Sequence, residues 1–271
     1  MAWGAMILKM HAFPPSWIQP DWPAPKNVRA IMTTREGGVS LSPWNSMNLG
    51  DHVGDLPEKV QLNRALLQER MQKQAVFLQQ VHGVEVVSLT LETAHGAQAD
   101  ACWTTCSERA CTVMVADCLP VLLCDASGRW VAVAHAGWRG LAGVQGRGIL
   151  EALVSRLPLS EGNLSGVMAW LGPCIGPQAF EVGQEVRAAF DDGSPDLSEL
   201  FTPLPGGKFL ADLAGLARRR LRSLGIHQVY GNDSQLPWCT ASQSALFFSH
   251  RRDSRVLGQT GRMAACIWLE A

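Results

Sequence analysis

The sequence carries almost no net charge: 23 Lys and Arg stand against 24 Asp and Glu over 271 residues, giving −1. Such a balance creates no field to draw nucleic acid or an anionic membrane surface to the chain, so neither is expected as a partner. The basic run Arg218, Arg219, Arg220 and Arg222 falls in a helical pattern and reads as a solvated face. No run of about 18 uncharged apolar residues is present, so no membrane span is expected. The start, MAWGAMILKMHAF, lacks a basic leader and a small-residue cleavage site, so it does not read as a signal peptide. A reducing cytoplasm is the expected location. No CxxC pair occurs among the eight cysteines, which are therefore expected to be thiols, core residues or ligands. The phosphate-loop pattern GxxxxGKS/T is missing, which removes the usual nucleotide-triphosphatase signature. The zinc-deaminase pattern HxE…PCxxC is missing too, because His82 is followed by Gly83, Val84 and Glu85. Only seven histidines are present and none form HxH pairs, which argues against a multicopper oxidase.

With 47% hydrophobic residues, the chain can bury a sizeable core without metals or disulfides. No internal repeat, low-complexity tract or linker divides it, so residues 1–271 read as one α+β domain. Nothing in the pattern specifies an oligomeric state. The first 25 residues are rich in Pro and Trp and should be irregular. Strands are expected at Val28–Thr34, Val76–Val81, Val84–Leu89, Ala110–Cys124, Trp130–Ala134, Val167–Gly172 and Met263–Leu269. VMVADCLPVLL is nearly continuous and apolar, as a strand buried on both faces would be, and Pro120 should break its pairing near Cys118. Helices are expected from Pro57, over Ile149–Leu157, over Phe180–Phe190 and over Phe209–Leu224, with Gly225 as a left-handed C-terminal cap.

Three segments place a metal-competent residue at a strand end or break, beside small residues: QQVHG (His82), ADCLP (Cys118) and AHAGWRG (His135). Two imidazoles and one thiolate suit zinc, and three protein ligands leave a fourth position for water or substrate. Spacing alone is weak support, since a cysteine in an apolar strand is more often a small buried hydrophobe. The segment from His135 to Gly140 leads into a helix, whose first N–H groups and Arg139 could grip a phosphate-sized anion. The alternative is a tight turn with Arg139 solvated. LGPCIGPQAFEVG could present Glu181 to a pocket or could simply start a helix. Asn48 in SMNLG and Arg35 in TTREGG lie in loops, where functional residues concentrate. Trp138 could cap a planar ring, although packing is the commoner use. His11 and His52 read as surface or structural residues.

Together, TTREGGVS, SMNLGDHVGD, QQVHG, ADCLPVLLCD, AHAGWRG, LGPCIGP, FEVG, FFS.RRD and TGRMA resemble the laccase-domain family. This is the YfiH-like group labelled polyphenol oxidase, whose members act as purine nucleoside phosphorylases. The resemblance runs from about Thr33 to Leu269 in the family's order. It implies a layered α+β fold with mixed sheets. It implies metal ligation, and with it catalysis, by His82, Cys118 and His135, with Zn2+ as the ion and Cu2+ as the alternative. It implies phosphorolysis of adenosine, inosine, guanosine and methylthioadenosine with phosphate as co-substrate, and deamination of adenosine. Arg139 and Asn48 are the candidate ligand-binding residues, and Asp117 or Glu181 the candidate proton shuttle. The family commonly has Tyr where His250 stands here, which puts any role of that hydroxyl in doubt. Two other chemistries fit the same residues: a cysteine hydrolase with Cys118 as nucleophile and His135 as base, and copper-supported phenol oxidation.

Overall fold

A computed structural model describes residues 13–159 and 162–270; most of the expected irregular start, with His11, lies outside them. Strands β1 (Val28–Met32), β2 (Gln74–Phe77), β5 (Arg109–Val115) and β13 (Met263–Leu269) form a sheet in the order β1-β13-β5-β2. β2 pairs parallel with β5, and the other pairs are antiparallel. A six-stranded sheet follows the order β12 (Gln228–Gly231), β8 (Val167–Leu171), β6 (Leu119–Asp125), β7 (Val131–Ala136), β4 (Ala101–Thr104) and β3 (Val86–Ser88). It is also mixed: β12 with β8 and β3 with β4 are parallel, and the centre is antiparallel. A small sheet holds β10 (Phe201–Leu204), β11 (Lys208–Ala211) and β9 (Glu181–Val182).

The layers follow from the two-residue period of the strands. On β13, Met263, Ala265 and Ile267 enter the core between the two large sheets, where Leu122, Val133 and Trp170 meet them. Ala264, Cys266 and Trp268 face the opposite way, into the core that includes Leu67 and Met71 of helix α1 (Pro57–Met71). On β6, Leu119, Val121 and Leu123 point to a third core, shared with helices α2 (Trp138–Ala142), α3 (Ile149–Val154) and α5 (Leu213–Ser223). Both faces of each central strand are thus covered, which explains the uninterrupted apolar runs. Leu119, Leu122 and Leu123 have no solvent exposure, and burying each contributes about 1.5–3 kcal/mol. The α+β class and the mixed sheets are as expected.

Several boundaries differ from expectation, each for a local reason. The run Ala110–Cys124 is two strands in different sheets, β5 and β6, split at 116–118, where Asp117 takes φ +90°. Pro120 does not break the pairing: it stands second in β6, in register with His135, and its carbonyl accepts the Gly172 N–H. A proline is tolerated near a strand's first residue, where its missing donor matters least. Phe209 to Ala211 is not helical but pairs with β10, and the following helix starts at Leu213 because Asp212 caps it, accepting the Gly215 N–H at 2.8 Å. Gly225 takes φ +92° at the end of that helix, as the cap requires. The expected helix over Phe180–Phe190 is reduced to α4 (Gln184–Ala189), because Glu181 and Val182 pair with β11.

Candidate metal centre

β2 stops at Phe77, short of the expected Val81, and this early end sets the place of His82. Beyond it, the Gln80 side chain takes over the pairing role: its Oε1 accepts the Met114 N–H at 2.7 Å and its Nε2 donates to the Met114 carbonyl at 2.8 Å. The chain then curls, with His82 at φ +60°, so that three successive N–H groups aim at one carboxylate. Val81 and Gly83 donate to Asp100 Oδ2 at 3.1 and 2.8 Å, and His82 donates to Oδ1 at 2.9 Å. Asp100 has no solvent exposure, and its Oδ1 also lies 2.8 Å from His135 Nδ1 on β7. One buried carboxylate therefore fixes two imidazole-bearing segments. It also holds His135 in the orientation that leaves Nε2 for the site, the usual outer partner of a metal-ligating histidine.

The split between β5 and β6 supplies Cys118. Its Sγ lies 3.6 Å from His82 Nε2, and the donor atoms of His82, Cys118 and His135 all lie within 4.8 Å of one another. Two ligands on a tetrahedral zinc, at about 2.05 Å for N and 2.3 Å for S, stand about 3.6 Å apart. The residues present fit such an ion. Among the described residues no other group of three His, Cys, Asp or Glu converges in this way. The glycines of AHAGWRG are a steric requirement of this packing. A Cβ on Gly137 would stand 2.9 Å from His82 Cδ2 and 3.0 Å from Cys118 Sγ, and one on Gly140 would stand 2.9 Å from the Gly83 carbonyl.

Charge favours a thiolate. Burial pushes the Cys118 thiol up, but the His135 and His82 imidazoles outweigh it and bring the pKa down to about 6. Burial likewise opposes a charge on His135, and the Cys118 sulfur and Asp100 reverse it, raising His135 to about 9. The three side chains open on a cavity of about 880 Å³. Its wall includes the Phe77, Trp138 and Phe180 rings and the guanidinium-bearing residues Arg64, Arg251 and Arg262.

The remaining expected site residues are placed differently. Arg139 is exposed, with its guanidinium 4.4 Å from the Trp138 ring centre, and it is not part of the cavity wall. Helix α2 is a single five-residue turn, too short to act as the expected anion-binding helix start. Asn48 is fully buried and its amide is spent internally: Nδ2 donates to the Gly50 carbonyl and Asp55, and Oδ1 accepts the Gly50 and Arg262 N–H groups. Glu181 is exposed and paired with Lys208 at 2.5 Å, away from the cavity wall. Asp117 does line the cavity, but its carboxylate accepts from Thr240 Oγ1, Ser249 Oγ and the Arg251 N–H, so it holds the start of helix α6 (His250–Leu257). His250 is exposed on the cavity rim, and Trp138 is half-buried in its wall.

Sequence reasoning missed Asp100, Gln80, Arg64 and Arg262. The only signal for Asp100 was a carboxylate among Ala99, Ala101 and Cys102, a place where an acidic residue is costly unless its hydrogen bonds are met.

A family model described as multi-copper polyphenol oxidoreductase laccase matches residues 29–270. A Pseudomonas aeruginosa protein named purine nucleoside phosphorylase is 48% identical over 256 residues, spanning 94% of this chain and 99% of its own length. An Escherichia coli protein named purine nucleoside phosphorylase YfiH is 47% identical over 254 residues, with 93% and 98% covered. Among solved structures, a Neisseria meningitidis protein superposes with a TM-score of 0.85 at 44% identity, covering 94% of this chain and 100% of its own. YlmD from Geobacillus stearothermophilus gives 0.84 at 30% identity, with 96% and 98% covered.

Proposed function

The chain belongs to the multi-copper polyphenol oxidoreductase laccase family, and from that membership we propose a metal-dependent purine nucleoside phosphorylase. The observation that carries the reading is the convergence of His82, Cys118 and His135 on the wall of a cavity of about 880 Å³. That volume lies within the usual range for small-molecule sites and accommodates a nucleoside beside a phosphate. The substrates proposed are adenosine, inosine, guanosine and methylthioadenosine, with adenosine deamination as a second activity. In phosphorolysis a phosphate oxygen bonds to C1′ as the C1′–N9 bond breaks and its electron pair leaves on the purine. The phosphate's hydroxyl proton ends on the purine, giving free base and ribose 1-phosphate. In deamination water adds at C6 of adenine and ammonia leaves.

Zinc is the ion proposed, held by His82 Nε2, Cys118 Sγ and His135 Nε2. When bound it supplies a Lewis acid at the cavity wall. Asp100 orients His135 and fixes the His82 loop. The Trp138 ring offers an apolar wall for the purine. Copper in the same position is the alternative that the family's description favours. Multicopper catalysis requires further clusters, and among the described residues none forms. All eight cysteines are free thiols, which supports a reducing cytoplasm as the location. No helix among the described residues is long and apolar enough to cross a membrane.

One observation favours a second reading. Cys118, His135 and Asp100 stand in the order nucleophile, base and orienting carboxylate, as a cysteine hydrolase requires. His82, 3.6 Å from the sulfur, discriminates: it has no task in that relay but is indispensable to a three-ligand metal set. The test is elemental analysis of the purified protein, paired with nucleoside turnover with and without phosphate. The expected result is about one zinc per chain, phosphate-dependent release of base, and joint loss of metal and turnover in His82→Ala. Wild-type turnover in metal-free His82→Ala would overturn the metal reading, and release of base independent of phosphate would overturn phosphorolysis.

A further inference from the structure

Of the three guanidiniums of the cavity wall, Arg262 is the one that among the described residues has neither a carboxylate ion pair nor an aromatic ring beneath it. Arg64 is neutralised by Asp51 at 3.1 Å and also donates to the Leu49 carbonyl. Arg251 likewise spends its Nη1 on two carbonyls, those of Ala179 and Glu181, but its guanidinium lies over the Phe180 ring, 5.7 Å from the ring centre. Arg262 donates from Nη1 to the Thr260 and Gly261 carbonyls and, among the described residues, has no carboxylate partner. Its Nε and Nη2 donors therefore remain for a ligand. Burial pulls its pKa down, while Cys118 and Asp117 oppose this, so the guanidinium stands within electrostatic reach of the metal-competent sulfur. Half-buried on the cavity wall and, among the described residues, with no carboxylate within ion-pair distance, the guanidinium has donors to offer an anion that enters.

The fold builds a mount for this one side chain from two distant segments. Asn63 of α1 clamps the preceding loop, with Nδ2 donating to Ser40 Oγ, the Ser46 carbonyl and the Asn48 carbonyl, and Oδ1 accepting the Val39 N–H. Asn48 Oδ1 in turn accepts the Arg262 N–H at 2.9 Å, and the Leu49 N–H donates to the Arg262 carbonyl at 3.0 Å. Gly50 leaves the space that the arginine stem fills: a Cβ there would stand 2.8 Å from Arg262 Cγ and 3.2 Å from its Cβ. SMNLG and TGRMA, separate motifs in the sequence, are a single device.

We infer that Arg262 is the phosphate-binding residue of the cavity, its guanidinium mounted by Asn48 and Gly50 to hold inorganic phosphate on the wall shared with Cys118. The inference rests on the phosphorylase reading and gives its co-substrate an address, replacing the expected one at Arg139. Guanidinium suits this task because it offers parallel N–H groups to two oxyanion oxygens. Asn48 is then a positioning residue that never touches substrate.

The test measures KM for phosphate and for nucleoside, zinc content, and binding of inorganic phosphate alone by calorimetry, in wild type, Arg262→Gln, Gly50→Ala and Arg139→Ala. Arg262→Gln should raise KM for phosphate about 10- to 100-fold, abolish calorimetric phosphate binding, and leave zinc content and nucleoside KM unchanged. Gly50→Ala keeps the charge but displaces the stem, and should move the same two phosphate readouts even if Arg262→Gln fails to fold. Arg139→Ala should stay within about twofold of wild type, as an exposed substitution does. A phosphate KM unmoved in Arg262→Gln, or raised only in Arg139→Ala, overturns the assignment. So does a result in which Arg262→Gln loses affinity for a nucleoside 5′-monophosphate but not for free phosphate, since the site would then read a nucleotide's phosphoryl group. If wild type splits no purine nucleoside with phosphate but binds free phosphate through Arg262, the functional reading fails and the anion site stands.

Discussion

Asp100→Asn isolates the carboxylate that ties the two histidine segments together. Four donors converge on Asp100: His82 N–H and His135 Nδ1 on Oδ1, and Val81 and Gly83 N–H on Oδ2. An asparagine keeps one oxygen. The orientation that retains the His135 and His82 contacts turns the amide NH2 toward the Val81 and Gly83 donors, so two hydrogen bonds become donor–donor contacts. Hydrogen bonds to a charged group contribute about 1.5–3 kcal/mol each, which sets an upper loss of about 3–6 kcal/mol. Val81 is exposed and Gly83 half-buried, so water replaces part of this, and about 2–4 kcal/mol is expected to remain. That corresponds to a fall in melting temperature of about 4–8 °C for a chain of this size. Loss of such an outer-shell partner should weaken metal binding about 10- to 100-fold. Chelator competition measures the metal affinity, and thermal unfolding of the metal-free protein measures the stability. Asp100→Asn with wild-type values in both assays would refute the role derived for this carboxylate.

Gly137→Ala should fold, because φ is −67° there and an L-residue adopts it freely. Its Cβ would nonetheless press on His82 and Cys118, so metal affinity should fall at least about tenfold, checked by the same competition assay. Asp253 predicts a pH dependence. Burial opposes its ionisation, but Arg252, the Ser249 N–H and Thr260 outweigh it and hold its pKa below the ordinary value. A folded-state pKa below the unfolded one contributes stability that is present above the unfolded value of about 4 and is lost as pH falls through the lower, folded value. Denaturant unfolding should therefore show Asp253→Asn less stable than wild type at pH 7, with the gap closing under acid; a gap independent of pH would refute the argument.

The metal-competent residues were legible because each stands where a regular pattern stops beside glycine or at a break, and such stops are visible in a linear string. Their convergence was not, since no spacing rule links a loop after β2, a corner after β5 and the end of β7. Asp100 showed only as a carboxylate in an apolar setting, and its task was hidden because it lies in four donors supplied by other segments. The pairing of Phe209–Ala211 with β10 was hidden by apolar residues that continue the helical period of α5, and only the Asp212 cap marks the boundary. Arg139 looked stronger than Arg262 because it sits inside a distinctive motif; its guanidinium had a neighbouring indole to lie on, and the anion-facing role passed to a residue with no such neighbour.

The corner at 116–118, where the chain leaves one large sheet and enters the other, has a mechanical meaning. Cys118 rides on the hinge line of a sandwich whose two slabs are spaced by Val113, Leu122, Val133 and Ile267. The sulfur's place relative to the imidazoles is thus geared to the thickness of that filling. A substitution that thins or thickens that filling, far from any substrate, is expected to shift the sulfur against the imidazoles.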